Sequence, residues 1–314
     1  MKAYKGFRSD LTCYKNFKYE IGKSYEEAEA ILCLTGFHAC KNPLDVFRYY
    51  SPLYGSRFCE VEAEDTTNID NFGMRGSDSK ISAKKIRIVR ELSVLDMIDE
   101  FRKMTPGNGV PIRTDRFSFS VSMSNPYVRS VVLDPDIVDI IEKAFEIDDT
   151  NNGLKHFALR IGSFNDDSSI DMMRHSNKPF SANLVAVLNG NRNHIMSDAE
   201  YNYIISVGDH AQIELFGHDA DILALGTNTE VLVKPSVVGL NHLTIYCVGS
   251  NSKIKLYGQH IHWIRVGGAV GTEIEILADS GEIIRSLKID GSFLKPNHLY
   301  ELQDLDSDNL KIFE

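Results

Sequence analysis

The sequence predicts an α+β N-terminal domain followed by an all-β, parallel β-solenoid with a short β cap. Three observations carry this. Glycines recur every nine residues at Gly190, Gly208, Gly217 and Gly226, with Ala199 in the remaining slot. After an interruption at Pro235–Gly239 the phase resumes at Leu240, Gly249, Gly258 and Gly267. Counting each of these up to Gly258 as slot one, slot six is always large and apolar: Ile195, Ile204, Ile213, Ile222, Val231, Ile245, Ile254 and Trp263. Far upstream, Gly36-Phe37-His38-Ala39-Cys40-Lys41-Asn42-Pro43-Leu44-Asp45 reads as a strand, a tight turn and a capped helix. Asn42 suits the N-cap, Pro43 the first helical position and Asp45 the first turn.

Taken in order, residues 1–95 form the α+β domain. Ala3 to Phe7 is a short strand. Tyr25 to Leu32 fits a short helix or a loop. Arg57 to Ala63 and Lys80 to Val89 alternate as strands, and Asp65 to Asp78 is turn-rich and loop-like. Ser93 caps a helix through Met97, Ile98 and Phe101. Residues 96–180 read as a mixed insertion or subdomain. It contains a strand over Arg116 to Ser122, a helix from Asp134-Pro135, a strand over Phe157 to Ile161 and a polar linker over Asn165 to Lys178.

Residues 181–268 are the solenoid. Side chains alternate along a strand, so slots four, six and eight share one buried face, and glycine or asparagine near slot one supplies the turn. Units of this length stack with each strand pairing above and below. Two units per coil give a flat, two-sided roll; a three-sided coil fits as well. Calcium-binding rolls of similar period place aspartate where Ile213, Ile222 and Ile254 stand, so this one is expected to be dry and metal-independent. Residues 269–314 cap the open end, with a hairpin over Glu273–Leu277 and Ile283–Ile289.

The length of 314 residues exceeds one ordinary core. A net charge of -10 excludes general nucleic-acid binding. No window approaches the roughly 18 apolar residues of a membrane span, and no apolar run follows Met1-Lys2-Ala3-Tyr4-Lys5, so no secretory leader is expected. Five cysteines, an odd count, point to reduced thiols in a cytoplasm. Cys33, His38 and Cys40 could form a zinc site, but no pair has the two-residue spacing of a zinc knuckle. Buried apolar cysteines, and no metal, are the expectation.

Paired readings stand for the remaining candidates. His38 is a catalytic or nucleotide-stacking residue, or a hydrogen-bonded histidine beside a helix start. Lys5 binds phosphate, or ends a strand in solvent. His260 and His262 form a metal pair or a surface pair. The run Lys84, Lys85, Arg87 and Arg90 contacts phosphates or is a solvated face.

Two resemblances add to this. Lys2-Ala3-Tyr4-Lys5-Gly6-Phe7, Leu11-Thr12-Cys13, Gly36-Phe37-His38-Ala39-Cys40, Asn42-Pro43-Leu44-Asp45-Val46 and Glu60-Val61-Glu62 resemble an uncharacterised family of bacteriophage and prophage proteins. In these, a similar N-terminal domain precedes nonapeptide repeats and a β-rich tail. This resemblance covers residues 1–95 and 190–314. It implies an accessory protein of the infected bacterial cytoplasm, or a virion-associated component. The order of the N-terminal motifs is also similar to the ADP-ribosyltransferase fold, which implies NAD as cofactor. By that resemblance Lys5 and His38 take the first two catalytic places and Glu62, with Glu60 as its neighbour, the third. Tyr4, Gly6, Phe37 and Tyr49 are then ligand-binding. Lysine lacks the forked hydrogen bonds of arginine, and a transferase without its glutamate loses most transition-state stabilisation. The expectation is therefore a non-enzymatic binding or structural module without cofactor, contacting a protein partner or itself through the solenoid. An NAD-dependent ADP-ribosyltransferase or NAD glycohydrolase is the alternative.

Overall fold

The computed structural model describes residues 1–70, 79–104, 113–114, 117–118, 120–123, 157–164, 166–172, 182–197, 199, 201–216, 219–234, 242–257, 261, 263–305 and 310–314. The expected helix from Asp134, the interruption at Pro235–Gly239, the pair His260 and His262, and Gly217 and Gly258 lie outside these. The chain divides into two compact units: Met1–Pro106 with Lys155–Ala158, and Gly107–Leu154 with Leu159–Glu314.

The first unit is mostly β. Its elements are β1 (Lys2–Phe7), β2 (Ser24–Glu26), β3 (Phe37–Cys40), α1 (Pro43–Val46), β4 (Arg57–Thr67), β5 (Lys80–Leu92) and α2 (Val94–Met104). All its strand pairs are antiparallel. β5 is long enough to pair with three strands. Lys80 to Ala83 pair with β3, while Ser82 to Leu92 pair with β4. Because β1 pairs with both β3 and β4, these four strands close into a ring. Its interior is Ala3, Phe7, Phe37, Ala39, Val61, Ala63, Ile81, Ala83, Ile86 and Ile88.

Three expectations change here. The helical share is small, because α1 spans four residues only. Asn42 caps it as expected, its Oδ1 accepting from Leu44 N at 3.0 Å. Tyr25 opens neither a helix nor a plain loop, since Ser24 to Glu26 pair with Lys85 to Arg87. β4 also runs on through Thr67, into what the sequence suggests is loop, because Thr66 and Thr67 find partners in Ala83 and Ser82.

α2 belongs to this unit, which therefore extends beyond residue 95. Glu100 on α2 is buried and accepts from Lys2 Nζ at 2.6 Å and Tyr4 Oη at 3.0 Å. The Lys2 hydrogen bond holds its carboxyl down to about 2.

The second unit contains β6 (Arg113–Thr114), β7 (Phe117–Ser118), β8 (Ser120–Met123), β9 (Phe157–Ser163), β10 (Ser168–Met172), β11 (Ala182–Leu188), β12 (His194–Ser197), β13 (Tyr201–Ser206), β14 (Gln212–Leu215), β15 (Asp219–Ala224), β16 (Glu230–Val233), β17 (His242–Cys247), β18 (Lys253–Tyr257), β19 (Trp263–Gly268), β20 (Glu273–Leu277), β21 (Ile283–Lys288), β22 (Leu299–Gln303) and β23 (Lys311–Phe313). It is a β-solenoid with two sheets. Alternate strands pair in parallel, β10-β12-β14-β16-β18-β20 in one sheet and β11-β13-β15-β17-β19 in the other. The two-sided coil is the one formed. Ile195 stands opposite Ile213, and Ile204 opposite Ile222. Slot six from Ile195 to Ile254 is fully buried.

The structure refines the turn. The left-handed residue is slot three, not the glycine: Arg192, His210, Asn228 and Asn251 all have φ between 53° and 58°. The glycines are needed for another reason. A Cβ on Gly208, Gly226 or Gly249 would lie about 2 Å from the carbonyl oxygen of the glycine one coil before. Polar side chains knit the same corner. Asp209 Oδ1 accepts from Thr227 N at 2.7 Å, and Asn191 Oδ1 from Asp209 N at 2.9 Å.

The solenoid also extends beyond its expected ends. The polar run from Asn165 contains β10, whose Ile170 pairs with Ile195 and joins the core. β20, expected within the cap, pairs in parallel with β18. On β19 the inward residues are Ile264 and Val266, with Val266 opposite Ile245. The ninefold count, which puts Trp263 in slot six, has slipped by then. The cap proper is antiparallel: β21 on β20, β22 on β19 and β23 on β22.

Candidate functional site

β1 and β3 meet at one registered pair, Tyr4 with Cys40. Beside it opens a cavity of about 980 Å³. Its lining includes Lys5, Gly6, Phe37, His38 and Tyr49, with Tyr4 at the margin. Six of the seven residues expected at a site are thus brought to one place.

The fold assigns them different tasks. Ala3, Lys5 and Phe7 alternate toward the ring interior, so Lys5 is buried. Its Nζ donates to the His38 carbonyl oxygen at 2.6 Å and lies over the rings of Phe7 and Tyr19. It is thus not a solvated strand end. Burial pushes its pKa down, since an amine among hydrocarbon and rings loses the hydration that favours its charged form. Tyr4 faces the other way and its hydroxyl is committed to Glu100; burial pushes its pKa up to about 12. Gly6 is required by close packing, because a Cβ there would meet Tyr50 at 2.6 Å.

His38 Nε2 accepts from the Cys33 N–H at 2.8 Å, so the ring's proton sits on Nδ1. Burial above all pushes its pKa down to about 4. It is neutral at pH 7. The unfolded chain takes up this proton near pH 6.5, which the folded chain refuses until about pH 4. The stability this contributes is complete above pH 6.5 and is lost as pH falls toward 4. Urea midpoints measured between pH 7 and 4.5 are expected to fall less steeply in His38→Gln than in the parent. Parallel slopes would contradict this.

Glu62 is not at the site. On β4, Cys59, Val61 and Ala63 face the ring interior. Glu60 and Glu62 therefore face outward, and Glu62 pairs with Arg87 at 3.4 Å in a separate groove of about 230 Å³. The resemblance places it there; strand alternation excludes it.

Sequence reasoning missed the loop residues that complete the cavity: Tyr14, Phe17, Tyr19, Glu27 and Thr35. Tyr14 is 80% and Leu34 60% exposed at its rim. Phe17, Tyr19, Tyr25 and Phe37 form an edge-to-face aromatic cluster. Lys80 Nζ lies 4.5 Å from the Tyr49 ring centroid. The hydroxyl of Thr35 is buried without a hydrogen-bond partner. Among the described residues no cluster of three metal-ligating side chains occurs, and all five cysteines are free thiols. No helix among the described residues is long and apolar enough to cross a membrane.

No curated protein and no solved structure matches the chain. One family description does match, over residues 1–100 and so over most of the unit that holds the cavity: a domain of unknown function, DUF7666.

Proposed function

We propose that the N-terminal unit is a non-enzymatic binding module for a small planar ligand with an anionic group. One observation carries this. Exposed apolar and aromatic side chains, Tyr14, Phe17, Leu34 and Tyr49, gather on one cavity whose lining has two lysines, Lys18 and Lys80, besides the buried Lys5, against one carboxylate, Glu27. In a chain of net charge -10 that local excess favours anions. Aromatic faces with nearby cations suit planar rings.

The residues present do not fit ADP-ribosyl transfer from NAD. The carboxylate expected to stabilise the transition state, Glu62, sits in another groove, and the Nε2 of His38 is occupied. No step through NAD follows. The test is calorimetry on the whole chain with AMP as probe and adenosine as the uncharged control. AMP is expected to bind and adenosine to bind at least about tenfold more weakly, the charge-assisted contact being worth about 1.5–3 kcal/mol. Tyr14→Ala and Tyr49→Ala each lose about 1–3 kcal/mol of stacking. No heat with AMP overturns the reading, and NAD turnover abolished by His38→Ala overturns its non-enzymatic part.

The solenoid supplies the contact surface in this proposal. β21 is a sheet edge whose Ile283 and Ile284 are 52% and 51% exposed, and an unpaired edge strand is a template for another strand. Light scattering is expected to show a concentration-dependent dimer that Ile284→Lys weakens; a monomer at all concentrations counts against it. The phage resemblance extends the reading to an accessory protein of the infected cell. Co-sedimentation with purified particles would instead favour a virion component.

A further inference from the structure

Lys5 is placed as few lysines are. It is 6% exposed, its Nζ donates to a backbone carbonyl, and no carboxylate pairs with it among the described residues. Phe7 and Tyr19 flank it. It nevertheless lines the cavity, where the Thr35 hydroxyl is also buried without a partner. An ammonium in such surroundings forgoes its hydration, whereas a neutral amine can still donate to the His38 carbonyl. The lowered pKa agrees with this. A desolvated neutral amine keeps its lone pair for attack on carbonyl carbon.

We propose that Lys5 is a nucleophilic amine that condenses with the aldehyde of a ligand entering the cavity. The lone pair of Nζ attacks the carbonyl carbon, and one N–H proton passes to the resulting oxygen to give a carbinolamine. The second N–H proton then leaves with that hydroxyl as water, and a C=N bond forms. Nothing is oxidised or reduced. This rests on the cavity being a ligand site, and it adds a covalent step to that reading.

The experiment uses the whole chain with 4-carboxybenzaldehyde, a planar anionic aldehyde, at pH 7, with borohydride trapping and peptide mapping by mass spectrometry. Each unit by which an amine's pKa falls raises its neutral fraction at pH 7 about tenfold. Trapping is therefore expected to be faster at Lys5 than at exposed Lys23, and AMP is expected to slow it at Lys5 alone. Labelling that follows surface exposure and leaves Lys5 unmodified overturns the proposal, even where calorimetry shows AMP bound. Fast labelling at Lys5 that AMP does not slow supports the amine and overturns the anion-binding reading instead. Lys5→Met removes the adduct; because that variant can misfold, the mapping on the parent chain decides.

Discussion

Gly226→Ala is expected to lower the stability of the solenoid by about 3–5 kcal/mol. The added Cβ would sit 2.0 Å from the Gly208 carbonyl oxygen and 2.4 Å from its carbon. Both obstacles are backbone, so no rotamer relieves them. Overpacking alone costs about 1–3 kcal/mol. The coils must also part, which weakens the bonds joining them there: Leu225 N to Ser206 O at 2.7 Å and His210 N to Thr227 O at 2.8 Å. Each lost bond adds about 1 kcal/mol. Stacked repeats contact only their neighbours, so the loss is not shared widely. Gly55→Ala is the control. Gly55 has φ +69° with open space around it, so alanine there costs only the left-handed penalty of about 1–2 kcal/mol. Urea unfolding followed by circular dichroism checks both; equal effects would mean that the glycine column is not set by close stacking.

Ile222→Asp is expected to abolish the folded solenoid, whereas Ile222→Ala costs about 2–5 kcal/mol and Ile222→Val about 0.5–1.5 kcal/mol. Ile222 is fully buried between Ile204 and Ile245 in one ladder. The core around it is almost wholly hydrocarbon, and an ionised carboxylate placed there finds no counter-charge, a cost that rivals the whole stability of a domain. The strand signal of the purified variant is the measurement. A soluble Ile222→Asp protein with parental strand content would refute the inward placement of slot six. Asp221, one residue away and facing outward, offers the contrast: its carboxylate meets His242 at 3.4 Å.

The two halves of the chain differ in how far sequence alone reveals them. Slot six declares the solenoid because each strand of every coil must place a large apolar residue in the interior. Its first coil was hidden because Ile170 is the single large inward residue among Ser168, Ser169 and Asp171. The left-handed residues at slot three were hidden too, since arginine, histidine and asparagine share no sequence signature there. In the N-terminal unit, alternation along β1 and β4 contains enough to place Lys5 inside and Glu62 outside. Closure of the ring is not legible, because nothing local announces that one strand, β5, pairs on two edges with partners 15 or more residues upstream. The cavity's aromatic rim comes from loops that only this closure brings together.

The proposed roles of the cavity and the solenoid are separate and can be addressed one at a time. Hydrogen exchange on the whole chain, with and without AMP, addresses the cavity most directly. Slower exchange is predicted at residues 13–19, 33–40 and 49–50, which line the cavity, with no change over the solenoid strands from His194 to Leu277. Unchanged exchange at residues 33–40, or protection confined to the solenoid, would contradict a ligand site between β1 and β3.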